Sequence, residues 1–259
     1  MKPFEIVAHR GIPTEAPENT IASYQLALEL GADAVEMDIR LTADQVPVVY
    51  HYYYLHKTSS APGVVFNYSI KEIQEMAVYC DQNRSIKPCR ISTLAEILDI
   101  FAGRIGLEIE IKGPEPESPQ IIGRVLNQFK QHWDAFEITS YEPALLLAIQ
   151  EVCPSITADL LYPRTEVWKG PEVILYEAIH LSHLAHARAV HLHPSQLSQE
   201  MLSSLKSKGI GTHAWDVNDV TALALTTEIG VPRICTDEFR MAHAFRESIN
   251  TNSRDSAPI

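Results

Sequence analysis

Cysteine is sparse here: Cys80, Cys89, Cys153 and Cys235 are scattered over 259 residues with no C-x-x-C spacing. Neither a zinc ribbon nor a disulfide framework follows, and reduced, mostly buried thiols are expected. No run approaches the roughly 18 consecutive apolar residues of a membrane span. The N-terminal stretch reaches Glu5 and His9 too soon for the apolar region of a signal peptide. A soluble cytoplasmic protein without stable membrane insertion is therefore the expectation. Positive charge is also short: Lys and Arg total 21 against 33 Asp and Glu, a net charge of −12, with no long like-charge block. That argues against sequence-independent binding to nucleic acid or an anionic membrane surface, while a local basic pocket for a phosphate stays open. There is no internal repeat, no low-complexity stretch, and no Gly-x-Gly-x-x-Gly turn after the first strand that would mark a doubly wound dinucleotide fold.

What the chain does have is alternation. With 46% hydrophobic and 21% charged residues, it can bury the core of one large α/β domain. Short apolar strands at Phe4 to Ala8, Ala34 to Thr42, Ile105 to Lys112, Ala135 to Thr139, Ile156 to Leu160, Ala189 to His193, Ile210 to Trp215 and Arg233 to Thr236 are separated by helical stretches, the first from Pro17 to Leu30. Only 12 residues separate Asp38 from His51, too few for a parallel crossover, so Val46 to His51 is expected to return antiparallel. A turn centred on Asp44-Gln45 would place residues whose numbers sum to 89 opposite each other, and so His51 opposite Asp38. The segment from about residue 55 to 103 reads as a small insertion with helices at Ile70 to Val78 and Leu94 to Phe101. Eight parallel candidates at this length predict a (β/α)8 TIM barrel over residues 1–249, with a β-hairpin at its second strand and a polar, disordered tail over 250–259.

In such a barrel the active site lies at the C-terminal strand ends. Inward alternation brings Glu36, Asp38 and Glu110 to one mouth, together with His9, His51, Arg10 and Lys112. Three carboxylates this close raise one another's pKa unless a cation sits between them. All-oxygen ligation suits Mg²⁺ or Ca²⁺. Such an ion can polarise a phosphoryl oxygen, Arg10 and Lys112 can hold further phosphate oxygens, and the two histidines can act as general acid and base. That set suffices for phosphodiester cleavage.

The motifs His9-Arg10-Gly11, Ala16-Pro17-Glu18-Asn19-Thr20, Gly31-Ala32-Asp33-Ala34-Val35-Glu36-Met37-Asp38, Val48-Val49-Tyr50-His51, Glu108-Ile109-Glu110-Ile111-Lys112, Ser140-Tyr141-Glu142-Pro143-Ala144, Trp215-Asp216-Val217-Asn218 and Ile234-Cys235-Thr236-Asp237 occur in this order. In this combination the chain resembles the glycerophosphodiester phosphodiesterase family. The resemblance implies a metal-dependent hydrolase that cuts a small-molecule glycerophosphodiester into glycerol 3-phosphate and an alcohol. Carried over by motif, Glu36, Asp38 and Glu110 are metal ligands, His9 and His51 the acid–base pair, Arg10 and Lys112 the phosphate grips, and Trp215 a pocket wall. It allows either direct attack by water or prior attack by the glycerol hydroxyl through a cyclic phosphate. The chain departs from the family pattern at Tyr52, where an aspartate usually follows the histidine, and at Gln45, Lys57 and Asp216.

Two other readings stay open: a family member that binds a phosphodiester or a protein partner with weakened turnover, and a related lysophospholipase-D-like lyase that leaves a cyclic phosphate. Head group, choice of ion and oligomeric state are not legible. Glu108 fits a buried ion pair as well as a catalytic role. Glu18-Asn19-Thr20 is expected to anchor the first loop and cap the helix. The run His180, His183, His186, His191 and His193 reads as ordinary histidines rather than a metal site, with His193 placed to line the pocket.

Overall fold

Residues 2–80, 85–164 and 168–255 are described by the computed structural model. The strands are β1 (Glu5–Ala8), β2 (Ala34–Leu41), β3 (Pro47–Val49), β4 (Ala77–Val78), β5 (Cys89–Arg90), β6 (Gly106–Ile111), β7 (Phe136–Ser140), β8 (Thr157–Leu161), β9 (Ala189–Leu192), β10 (Gly211–Ala214) and β11 (Arg233–Thr236). The helices are α1 (Ile21–Glu29), α2 (Ile70–Gln74), α3 (Leu94–Phe101), α4 (Ser118–Leu126), α5 (Pro143–Val152), α6 (Pro171–Leu184), α7 (Gln199–Ser207), α8 (Val220–Glu228) and α9 (Phe239–Asp255).

The main sheet runs β1-β11-β10-β9-β8-β7-β6-β2, with β3 appended to β2, and β1 also pairs with β2. Eight parallel strands therefore close on themselves, and the expected TIM barrel is the fold. Parallel strands buried on both faces must be apolar outward, and Val35, Met37, Ile39, Leu107, Ile109 and Ile111 meet that demand at 0–1% exposure. Their outward faces pack beneath the helices; Tyr24 of α1 meets Phe101 of α3 edge to face, with ring centroids 5.9 Å apart. Helix starts follow the local chemistry: Thr20 and Asp219 accept from Ser23 N and Ala222 N, and Ser69 and Thr93 each close a reciprocal capping box with Glu72 and Glu96.

Several expectations need correction. The hairpin register is Arg40 opposite Val48 and Leu41 opposite Pro47, so paired numbers sum to 88 rather than 89. The physical reason is a three-residue loop, Ala43-Asp44-Gln45, closed by Thr42 N donating to Val46 O, with Gln45 taking the left-handed conformation at φ 59. Tyr50, not His51, then faces Asp38, its N–H donating to Asp38 O at 2.8 Å. The helix expected over Ile70 to Val78 stops at Gln74, because Ala77–Val78 pairs antiparallel with Cys89–Arg90. That insertion has its own small core, Val48, Tyr50, Leu55, Val65, Ile73, Val78 and Ile91, seated on the hairpin. At the C-terminus, α9 continues to Asp255, so the expected tail from residue 250 is helical to that point, and 256–259 lie outside the described residues. No helix among the described residues is long and apolar enough to cross a membrane.

Candidate active site

The parallel register of β2 and β6 sets Glu36 beside Glu108 and Asp38 beside Glu110. Period-two alternation then sends all four inward. The upper pair, with Glu36, forms a group whose ligand atoms lie within 4.8 Å of one another: Glu36, Asp38 and Glu110, all buried. Lys112, just past the end of β6, sits between two of them, its Nζ 3.1 Å from Asp38 Oδ1 and 2.8 Å from Glu110 Oε1.

His9-Arg10-Gly11 follows β1 directly. Arg10 holds φ 55 and Gly11 φ 88. Glycine is required there twice over, since a Cβ at Gly11 would fall 2.2 Å from Ser23 Oγ. This turn aims the Arg10 N–H at Glu36 Oε2, 3.0 Å away, and brings Arg10 Nε to 3.2 Å from Asp38 Oδ2 and Nη1 to 3.3 Å from Glu18 Oε1. His9 Nδ1 pairs with Asp237 Oδ1 at 2.8 Å, and its Nε2 lies 3.8 Å from Glu36 Oε2. His51 enters from the hairpin side, where Arg40 Nε donates to its carbonyl at 2.7 Å and its ring stands edge-on to Tyr52 at 4.5 Å. Although the register does not put His51 opposite Asp38, the chain leaves strand geometry after Val49 and returns the imidazole to the mouth.

These groups line a cleft of about 550 Å³ counted to its open rim, with Trp215, Tyr141 and Asp216 on the far wall. All eight residues singled out from the sequence are in or on this mouth: His9, Arg10, Glu36, His51, Glu110, Lys112 and Trp215 line it, and Asp38 lies under Lys112 and Arg10. Trp215 is held by its indole N–H donating to Tyr162 O at 3.2 Å, between the rings of Tyr141 and His193.

Burial and crowding divide the titratable groups. Burial and the Asp38 charge raise Glu36 well above the usual carboxylate range. Burial also lifts Glu110 to about 7 despite Lys112. Asp38 is buried as well, but Lys112 and Arg10 outweigh that and hold it far below its ordinary value. Burial and Arg10 work against a charged His9, yet the bond to Asp237 and the charges of Glu36 and Asp237 prevail and raise it to about 9. His51 has no such partner: burial lowers it to about 3, with only Asp38 opposing.

Several residues named in the sequence have supporting contacts that it did not assign. Asn19 is buried at φ 57, donates from Nδ2 to Asp38 Oδ2 at 2.8 Å and accepts from the Asp38 N–H and from Tyr24 Oη. It anchors the loop, as expected, but it also holds Asp38. Its signal is the αL-tolerant Asn in a Pro-rich loop. Asp237 and Glu18 carry His9 and Arg10, and Asp216 turns inward to share a cluster with His9 and Asp237. After Tyr52, Tyr53 lies under the Arg40 guanidinium at 3.8 Å, a rim contact.

The model of the glycerophosphoryl diester phosphodiesterase family matches residues 9–241. Bacillus subtilis YhdW is 30% identical over 236 residues, covering 90% of this chain and 93% of that protein. A glycerophosphodiester phosphodiesterase of Caldanaerobacter subterraneus is 28% identical over 238 residues, covering 90% and 93%. Among solved structures, a phosphodiesterase of Oleispira antarctica in complex with the product sn-glycerol-3-phosphate superposes with a TM-score of 0.79 at 25% identity, covering 93% of this chain and 95% of that one.

Proposed function

This chain belongs to the glycerophosphoryl diester phosphodiesterase family and is a phosphodiesterase of glycerophosphodiesters, and from that premise we propose that it releases glycerol 3-phosphate with a divalent cation held by Glu36, Asp38 and Glu110. The observation that carries this reading is the donor set: three buried carboxylates within 4.8 Å, with Glu36 Oε1 buried and accepting no hydrogen bond. Hard oxygen donors of this kind fit Mg²⁺ or Ca²⁺. When bound, the ion supplies Lewis acidity at a phosphoryl oxygen.

The chain's own residues do the rest. Arg10 and Lys112, already fixed by Glu18, Asp38 and Glu110, offer N–H groups to the remaining phosphate oxygens. His9, bonded through Nδ1 to Asp237, presents Nε2 to the cleft and is suited to deliver a proton to the leaving alcohol. His51 is the acceptor: its Nδ1 is buried without a hydrogen-bond partner, and its ring faces the same cleft. The proton it takes comes from the attacking hydroxyl, whether water or the substrate's own glycerol. Trp215 and Tyr141 form the apolar wall against which the glycerol or head group rests.

The test is release of glycerol 3-phosphate from glycerophosphocholine and from glycerophosphoethanolamine with Mg²⁺ or Ca²⁺ supplied. Release abolished by chelator is expected; release indifferent to chelator would overturn the metal assignment, and a persistent cyclic phosphate in the product mass spectrum would replace hydrolysis by a lyase.

Asn19 supplies a subtler check. Asn19→Ala removes both side-chain bonds to Asp38 while leaving the proposed ligands and histidines in place. A loss of such an orienting partner is expected to weaken cation affinity about 10–100-fold, with kcat at saturating cation changed far less. Calorimetric titration of the cation beside steady-state kinetics separates the two; an unchanged affinity would mean that Asn19 only braces the loop.

A further inference from the structure

TIM-barrel interiors are ordinarily filled with branched aliphatic side chains, but below the catalytic mouth this barrel carries Glu108, Glu137, Asp159, His191, His213 and Arg233. Four of these converge. His191 Nε2 lies 3.1 Å from His213 Nδ1, 3.3 Å from Glu137 Oε1 and 3.4 Å from Asp159 Oδ2, and His213 Nδ1 lies 3.7 and 3.6 Å from the same two oxygens. The remaining edge, between the two carboxylates, is within 4.8 Å. A tetrahedron around Zn²⁺, with bonds of roughly 2.0–2.2 Å, has edges of roughly 3.3–3.6 Å. We propose that Glu137, Asp159, His191 and His213 form a structural Zn²⁺ site in the barrel floor, separate from the catalytic mouth.

The surroundings agree with that assignment. Glu137 is buried and its Oε1 accepts no hydrogen bond while aimed into the cluster. Glu137 Oε2 and Asp159 Oδ1 lie outside the tetrahedron and accept from Arg188 Nη2 at 2.5 Å and from the Ala189 N–H at 3.0 Å, while the corner oxygen Asp159 Oδ2 also accepts from Arg188 Nη2 at 2.5 Å. His191 offers Nε2 to the cluster and turns Nδ1 towards Glu108 Oε1, 3.6 Å away and short of a hydrogen bond, so a carboxylate stands on the side from which one orients a metal-binding imidazole. Three carboxylates, Glu108, Glu137 and Asp159, face two arginines, Arg188 and Arg233, and the imidazole of His191. Two nitrogens and two oxygens favour Zn²⁺ over Mg²⁺ or Ca²⁺.

The four ligands come from four consecutive barrel strands, β7, β8, β9 and β10. A full protein ligand set leaves no open position for substrate, so the ion would tie these strands together rather than react.

Cobalt tests this directly. With excess Mg²⁺ present for the mouth, the full-length protein is titrated with Co²⁺ and its visible spectrum recorded. A single equivalent with the intense bands of four-coordinate Co²⁺ is expected, displaced by Zn²⁺, kept in Glu36→Gln and lost in His213→Gln. Glu108→Gln, which changes the carboxylate facing His191 and Arg233 but none of the four proposed ligands, is expected to weaken Zn²⁺ binding about 10–100-fold. Only six-coordinate Co²⁺, or a four-coordinate signal surviving in His213→Gln, would overturn the proposal. Should His213→Gln fail to fold, X-ray absorption at the zinc edge of the wild-type protein decides: two imidazoles support the site, and fewer overturn it.

Discussion

Replacing His51 by alanine is expected to lower kcat by about 10²–10⁴-fold, the range for loss of one general acid or base, while cation affinity stays nearly unchanged. The imidazole stands in the cleft beside the carboxylates without being one of the three oxygen donors. Its backbone is gripped independently, by Arg40 on the carbonyl and by the hairpin beneath it, so truncation removes the ring without releasing the loop. His9→Ala is expected to fall in the same range, since its position comes from Asp237 and from the turn that Arg10 and Gly11 impose. Steady-state rates at saturating cation, with separate calorimetric titrations, check both. Normal kcat in both variants would end the acid–base assignment; a large drop in cation affinity would instead move the histidine into the ligand set.

The opposite split is expected for the carboxylates. Glu36→Ala or Asp38→Ala removes one of three donors from a buried cluster. Because loss of a mere orienting partner already lowers metal affinity about 10–100-fold, loss of a donor is expected to exceed about 100-fold. Activity should then return in part at high cation concentration. Asp38 carries the greater structural load. It is fully buried and neutralises Arg10 and Lys112, both of which lie partly buried against it. Glu36 lacks a comparable ion pair, its nearest contacts being the Arg10 N–H and His9. Asp38→Ala should therefore also lower the unfolding temperature more than Glu36→Ala does; an unshifted cation affinity in both would remove these residues from the metal site.

The places of Arg10, Lys112 and the three carboxylates were legible because each sits in a strand or at its end, where period two decides the face. Glu36, Asp38 and Glu110 needed only alternation and a barrel to share a mouth. The loops were harder. Asn19 contacts Asp38 across 19 positions and His9 contacts Asp237 across 228, and no local pattern carries such pairings. The floor cluster was obscured in the same way. His191 stood out within a run of histidines on and after α6, yet its partners are His213, Glu137 and Asp159, each from a different strand.

His51 marks the boundary between the two kinds of information. Its chain position, after an antiparallel return too short for a crossover, determined by itself that a histidine would arrive beside the second strand. The pairing was shifted by one residue, since a left-handed Gln45 makes the loop three residues long, and strict strand geometry would then have turned His51 away from Asp38. Local periodicity thus determined the barrel, the strand count and the inward acids, because side-chain alternation is a property of the backbone alone. Only the tertiary structure decided where His51 points and which residues hold His9 and Asp38. Those depend on the chain leaving strand geometry after Val49 and on contacts between segments far apart in sequence.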